Sequence, residues 1–226
     1  MTAKDIAKIT INLVIIYLIG GLLLAVVYAI TSPIKFQKEK AEKEAALLTM
    51  IPEADKIEKR GDWHPHEKHA EYYAALKCSE LITKSEKDEK TGEIKETKEC
   101  INPQDIGYIA EGFGKGYSSY IHILTSVDNS FQVKRIKILG HGETPGLGDE
   151  IEKDYFLKRF ENKTVDTLVV VKGETQDKVE AITGATISSR AVTEDGVRKG
   201  VEMLKEKLSG EQNKEQEKEE EYGSHS

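Results

Sequence analysis

Residues 106–140 read IGYIAEGFGKGYSSYIHILTSVDNSFQVKRIKILG, three short apolar runs parted by a glycine-rich segment and an Asp128-Asn129-Ser130 turn. In the last run Phe131 and Val133 alternate with polar neighbours, and so do Ile136 and Ile138. A period of two puts one face of a strand on a core and the other in solvent. The apolar face changes parity between Val133 and Ile136, which predicts a β-bulge there. Thr167 to Val171 (TLVVV) supplies a further strand, and the set reads as an antiparallel sheet.

Towards the C-terminus the period lengthens. Tyr155 to Phe160 reads as a short helix. From Ile187 to Leu208, apolar Ala191, Val192, Val197, Val201, Met203, Leu204 and Leu208 recur at helical spacing, an amphipathic helix that packs on the sheet. The fold class is therefore α+β. Residues 209–226, which close on EQNKEQEKEEEYGSHS, repeat like charges and offer no apolar face, so they read as a disordered acidic tail.

Towards the N-terminus, residues 1–8 form a short leading segment. Ile9 to Ile30 then run about 22 residues without a charge, enough at roughly 1.5 Å each to cross a hydrocarbon core of roughly 30 Å. The stretch reads as a retained transmembrane helix: it is longer than the apolar region of a cleaved signal peptide, although Val27-Tyr28-Ala29 faintly resembles a cleavage site. Residues 31–51 follow a break at Ser32-Pro33 and, rich in Ala, Glu, Lys and Leu, form a juxtamembrane helix or spacer. Lys4 and Lys8 precede the span and Lys35, Lys38, Lys40 and Lys43 follow it, which taken literally puts the domain in the cytoplasm. Those later lysines alternate with Glu39, Glu42 and Glu44, and a long domain translocates largely regardless of charge, so charge bias leaves the orientation open. Residues 52–208 are the soluble domain. Its first part, 52–103, is highly polar and reads as a surface excursion, most marked over about 78–100, with Thr91-Gly92 at a hairpin tip.

Lys+Arg 33 against Asp+Glu 40 gives a net charge of -7, and no clustered basic face suits nucleic acid. Cys78 and Cys100 are too few for a disulfide scaffold and lack metal or haem spacing. They form one disulfide if the domain lies in an oxidising compartment, or are two small apolar side chains. His64, His66 and His69 lie near one another, but Pro65 interrupts helical spacing and a solvated surface is the simpler reading. Asn162-Lys163-Thr164 matches a glycosylation pattern by composition alone.

Three stretches carry chemistry. Ala181-Ile182-Thr183-Gly184-Ala185-Thr186-Ile187-Ser188-Ser189-Arg190 stands where a strand or loop enters the final helix. Small residues beside hydroxyls let a phosphate approach free N–H groups, and Arg190, one turn beyond Thr186, can reach the same anion. An ordinary capped helix start has the same composition. Gly140 to Asp149 (GHGETPGLGD) is a tightly shaped loop with Leu147 at its tip, suited to covering a flat ligand or simply to joining strands. Gly112 to Tyr117 (GFGKGY) is glycine-rich without the order of a P-loop or dinucleotide fingerprint.

Together, over about Gly112 to Gly200, these stretches resemble the FMN-binding domain of the G subunit of the Rnf electron-transport complex and the C subunit of the sodium-pumping NADH:quinone oxidoreductase. The resemblance is closer to the G subunit, because the chain is short for the other. It implies that FMN is esterified through its phosphate to Thr186, with Thr183, Gly184 and Ala185 as the preceding motif positions and Ser188, Ser189 and Arg190 beside it. It implies that the loop Glu143, Thr144, Pro145, Gly146, Leu147 and Gly148 approaches the isoalloxazine ring. One position departs: Glu180 stands where such motifs often carry Asp. The implied partners are a flavin transferase that uses FAD, the lipid bilayer, and the other membrane and iron-sulfur subunits of a ferredoxin- or NADH-linked ion-translocating complex. The implied location is a prokaryotic inner or plasma membrane, single-pass, with the domain extracytoplasmic. Such a subunit carries electrons without turnover of its own. A membrane-tethered FMN-binding sensory or assembly module, or a ligand-binding domain without flavin, are the alternative classes.

Overall fold

A computed structural model describes residues 3–87 and 94–210. The hairpin tip expected at Thr91-Gly92 and the tail beyond residue 210 lie outside the described residues. The chain divides into two units, one ending at Ala45 and the other beginning at Ala46.

Helix α1 spans Ala3–Met50 without the break expected at Ser32-Pro33. Pro33 offers no N–H to the Ala29 carbonyl, yet apolar helices tolerate a proline where nearby hydroxyls supplement the backbone bonds. Thr31 Oγ1 donates to the Val27 carbonyl at 2.8 Å in that turn. The apolar side chains from Ile9 to Ile30 lie exposed, among them Leu22 at 69% and Leu24 at 73%, in a helix long and apolar enough to cross a membrane. Beyond it, Lys35–Glu39, Lys38–Glu42 and Lys40–Glu44 ion pairs line the helix at i,i+4, each adding about 0.3 kcal/mol. The segment expected to form a separate juxtamembrane helix is thus a continuation of α1.

The second unit is built on a five-stranded antiparallel sheet ordered β1-β2-β5-β6-β7. Its strands are β1 (Lys56–Trp63), β2 (Ala70–Lys77), β5 (Gln104–Lys115), β6 (Tyr120–Val127) and β7 (Val133–Gly140). Between β2 and β5, β3 (Glu80–Lys87) and β4 (Ile94–Ile101) pair with each other and, among the described residues, with no other strand. A Cys78–Cys100 disulfide closes the base of this hairpin, Cα–Cα 5.3 Å.

The expectation of a surface excursion over 52–103 is therefore corrected: β1 and β2 belong to the main sheet. In β2, Ala70, Tyr72, Tyr73, Ala74, Ala75 and Leu76 are all buried. Both faces of β2 are covered, so no alternation marks it, and its alanines and tyrosines do not form an aliphatic run. On one face Tyr73, Ala75, Ile109 and Leu124 meet Ala46, Leu47, Met50 and Ile51. On the other, Tyr72, Ile121, Ile123 and Ile136 meet the C-terminal helices.

The predicted bulge is present. Val127 pairs with Val133 and Ser126 with Arg135, so Lys134 is the extra residue. The predicted short helix is α2 (Asp154–Leu157), followed by a tight turn Lys158–Phe160. Phe156 and Phe160 are fully buried and meet edge to face, centroids 5.3 Å apart. The TLVVV run does not join the main sheet. Thr167 caps a turn by accepting the Thr164 N–H at 2.8 Å, leaving only β8 (Val170–Val171), which pairs in parallel with β9 (Val179–Glu180).

The final helix begins as α3 (Thr186–Arg190), widens to a π segment over Ala191–Arg198 and continues over 199–210. All seven apolar residues of the predicted stripe are buried. The helix lies directly on β5, because a Cβ at Gly114 would collide with the Ala191 carbonyl. The helix includes residues 209 and 210, which were expected to belong to the tail.

Candidate functional site

Three segments converge at one end of the sheet: the β5–β6 turn, the loop after β7, and the start of α3. They border an open cavity of roughly 470 Å³ lined by Tyr117, Glu143, Thr144, Leu147, Gly148, Gly184, Ala185, Thr186, Ile187 and Ser188. That volume falls in the ordinary range for small-molecule sites.

Glu143 ties the segments together. Its carboxylate accepts the backbone N–H groups of Tyr117 (3.1 Å), Ser118 (3.0 Å) and Ser119 (3.4 Å). It also accepts the hydroxyl of Ser188 on α3. Burial raises the Glu143 carboxyl, but the bonds from Ser188, Ser118, Tyr117 and Ser119 outweigh it and hold the pKa below its ordinary value. The loop is braced further by Ser119 Oγ, which accepts the Gly142 N–H at 2.8 Å, and by His141. The His141 Nδ1 accepts the Glu143 N–H at 3.1 Å, and its Nε2 faces Glu152 at 3.0 Å.

At the third segment, Gly184 adopts φ 81°, a left-handed conformation that turns the chain into α3 at little steric cost. Among the described residues no side chain caps α3, so its first-turn N–H groups are available to a ligand oxygen. The hydroxyls there divide into two kinds. Ser188 is committed to Glu143, and Ser189 accepts the Ile182 N–H and donates to the Ala185 carbonyl, each at 2.9 Å. Thr186 is half-buried, and its hydroxyl has no partner among the described residues.

The structure thus brings Glu143, Thr144, Leu147, Gly148, Gly184, Ala185, Thr186 and Ser188 into one cavity. Pro145 and Gly146 shape the loop without lining it, Gly146 at φ 73°. Thr183 and Arg190 are exposed and Ser189 is buried as a brace, all three outside the lining. Tyr117 and Ile187 line the cavity although the sequence pattern did not place them in the site. Ile187 immediately follows the motif threonine, and its 55% exposure on a helix is visible only in the fold. Glu180 is held by Arg159, which donates to its carbonyl at 2.6 Å and pairs with its carboxylate at 3.3 Å.

Of the three neighbouring histidines, His69 lies with Asp62 and Glu71, ligand atoms within 4.8 Å of one another. The ammonium of Lys59 already sits on Asp62 at 2.7 Å and Glu71 at 2.6 Å.

Within this α+β domain, residues 116–202 match the FMN-binding domain family. The chain is 34% identical over 205 residues to the G subunit of the proton-translocating ferredoxin:NAD(+) oxidoreductase complex of Clostridium ljungdahlii, covering 89% of this chain and 92% of that protein. It is 27% identical over 197 residues to the G subunit of an ion-translocating oxidoreductase complex of Methanosarcina acetivorans, covering 85% and 91%. A solved structure of the C subunit of the Na(+)-translocating NADH-quinone reductase of Parabacteroides distasonis matches 58% of this chain and 59% of that one, at 26% identity and a TM-score of 0.40. The chain belongs to the family of G subunits of ion-translocating oxidoreductase complexes.

Proposed function

We propose that this protein carries electrons within a membrane-bound ion-translocating oxidoreductase complex of the ferredoxin/NAD type, through FMN esterified to Thr186. The observation that carries the reading is the free, half-exposed hydroxyl of Thr186 at the uncapped start of α3, in a cavity with room for a flavin. No lysine or arginine is among the residues that line that cavity. A site that held a phosphate dianion by affinity alone would be served by such cations. A phosphoester removes that need, and the uncapped N–H groups of the first turn suffice to orient the phosphate oxygens.

The ester is made by transfer of the FMN phosphoryl group from FAD to the Thr186 oxygen, with AMP leaving and the hydroxyl proton lost. A separate flavin transferase supplies the catalysis, since Glu143, the charged group in the cavity, is committed to four donors. Bound FMN supplies one- and two-electron redox chemistry. The chain's own residues tether it at Thr186, frame it with the loop from Glu143 to Gly148, and hold the domain at the membrane through α1. The domain sits on the extracytoplasmic side, a placement supported by the Cys78–Cys100 disulfide, which an oxidising compartment preserves. There the tether also prevents loss of the cofactor by dilution.

The test is flavin fluorescence of the denatured protein on a gel, from a host supplied with the transferase. Wild type and Thr186→Ser retain the band and Thr186→Val loses it. A dark wild-type band, beside a fluorescent control flavoprotein from the same host, removes the reading.

A further inference from the structure

We propose that Tyr117 is the aromatic wall of the flavin site, a cofactor-packing residue whose phenol ring lies against the ring system of the bound flavin. The proposal rests on the FMN reading given above. Outside α1, the described residues expose five large apolar side chains, Ile82, Tyr117, Leu147, Tyr155 and Ile187, and Tyr117, Leu147 and Ile187 line the same cavity. They come from three separate segments, at 72%, 48% and 55% exposure. Apolar groups gathered from three segments around a cavity and left uncovered mark a surface built for a ligand. The free Thr186 hydroxyl in that cavity identifies the ligand as the group it tethers.

Tyr117 is held in a manner that suits this role. Its backbone N–H is bound by Glu143 at 3.1 Å, and the turn is closed by the Gly116 N–H on the Ser119 carbonyl at 2.9 Å. The phenol itself has no ring contact or hydrogen bond among the described residues. Other exposed or half-buried tyrosines of the domain are engaged: Tyr108 stacks on Phe131, Tyr120 meets His66 and Lys68, and Tyr155 lies under Arg159. A fixed backbone bearing an unengaged aromatic face loses little further entropy on packing against a planar ligand, and aromatic pairs favour such contact. Leu147 and Ile187 supply the aliphatic remainder of the frame.

An excited isoalloxazine in contact with a phenol takes an electron from it and returns it, so emission is quenched without net chemistry. The experiment compares flavin emission of the folded full-length protein with that of the same sample after denaturation, at matched flavin content. Wild type is dark when folded and brightens several-fold on denaturation. Tyr117→Leu keeps its flavin through the ester at Thr186 but is already bright when folded, while Tyr117→Trp is dark. A Tyr117→Leu protein as dark as wild type, or a Tyr117→Trp protein as bright as Tyr117→Leu, overturns the proposal. So does a Tyr117→Leu protein that folds without taking up flavin, because the turn would then serve the transferase. A wild-type band without flavin after denaturation overturns the FMN reading itself, a different result.

Discussion

Ser188 donates its hydroxyl to the buried carboxylate of Glu143, and that bond joins the helix carrying Thr186 to the loop that follows β7. Because Glu143 also gathers the N–H groups of Tyr117, Ser118 and Ser119, one carboxylate holds the three segments of the site in register. Glu143→Ala leaves those donors without their acceptor, at a cost of about 1–3 kcal/mol for the buried Ser188 hydroxyl and less for the three N–H groups of the exposed turn, which water can reach. Chemical unfolding of the detergent-solubilised chain is expected to show a lower midpoint for Glu143→Ala, with Glu143→Gln between it and wild type. An unchanged midpoint would mean that the turn and the helix hold their places without the carboxylate.

The same group makes stability depend on pH with a definite sign. The folded pKa of Glu143 lies below the ordinary value of 4.5. Its contribution is therefore complete above that value and is lost as pH falls through the lower, folded one. The gap in unfolding temperature between wild type and Glu143→Gln is expected to stay constant from about pH 7 to about pH 5 and to close below that. A gap that widens on acidification would contradict the hydrogen-bond pattern described for this carboxylate.

Close approach of the last helix to β5 predicts a sharp contrast between glycines. A Cβ at Gly114 would collide with the Ala191 carbonyl, and one at Gly112 would lie 2.8 Å from the Gly196 carbonyl. Both neighbours are backbone and cannot rotate away. At Gly140 a Cβ meets nothing within 4 Å. Gly114→Ala is expected to destabilise by about 1–3 kcal/mol or more, as overpacking does, with Gly140→Ala near neutral. Thermal unfolding of the two variants side by side checks the contrast.

These positions also show which parts of the protein were legible from sequence. The bulge at Lys134 was visible because Val133 and Ile136 break parity, and the last helix because its apolar residues keep one stripe. Strand β2 was hidden: with both faces covered, its tyrosines and alanines have no reason to alternate. Pro33 suggested a break because proline usually ends a helix in water, whereas an apolar segment keeps its backbone bonded. The threonine motif pointed to Thr186, but the division of labour among neighbouring hydroxyls depends on partners 45 and 7 residues away in sequence for Ser188 and Ser189. Tyr117 closes a glycine-rich stretch that is a weak signal alone, and its place in the cavity emerges only when Glu143 is seen to anchor the turn.

The disulfide offers a test of both stability and orientation. Cys78 and Cys100 are separated by 22 residues, and a cross-link closing a loop of that size contributes about 3 kcal/mol in the chain-entropy account. Cys78→Ser paired with Cys100→Ser is therefore expected to lower the unfolding midpoint. Because a two-stranded hairpin is marginal alone, protease should cut first within β3 or β4 in that variant. In intact cells, both thiols of the wild-type chain are expected to resist alkylation until a reductant is added. That behaviour fits an extracytoplasmic domain, since cytoplasmic thiols are kept reduced. Alkylation of both cysteines without reductant by a membrane-permeant reagent, with none by an impermeant one, would place the domain on the cytoplasmic side and remove compartment loss as the reason for tethering the flavin.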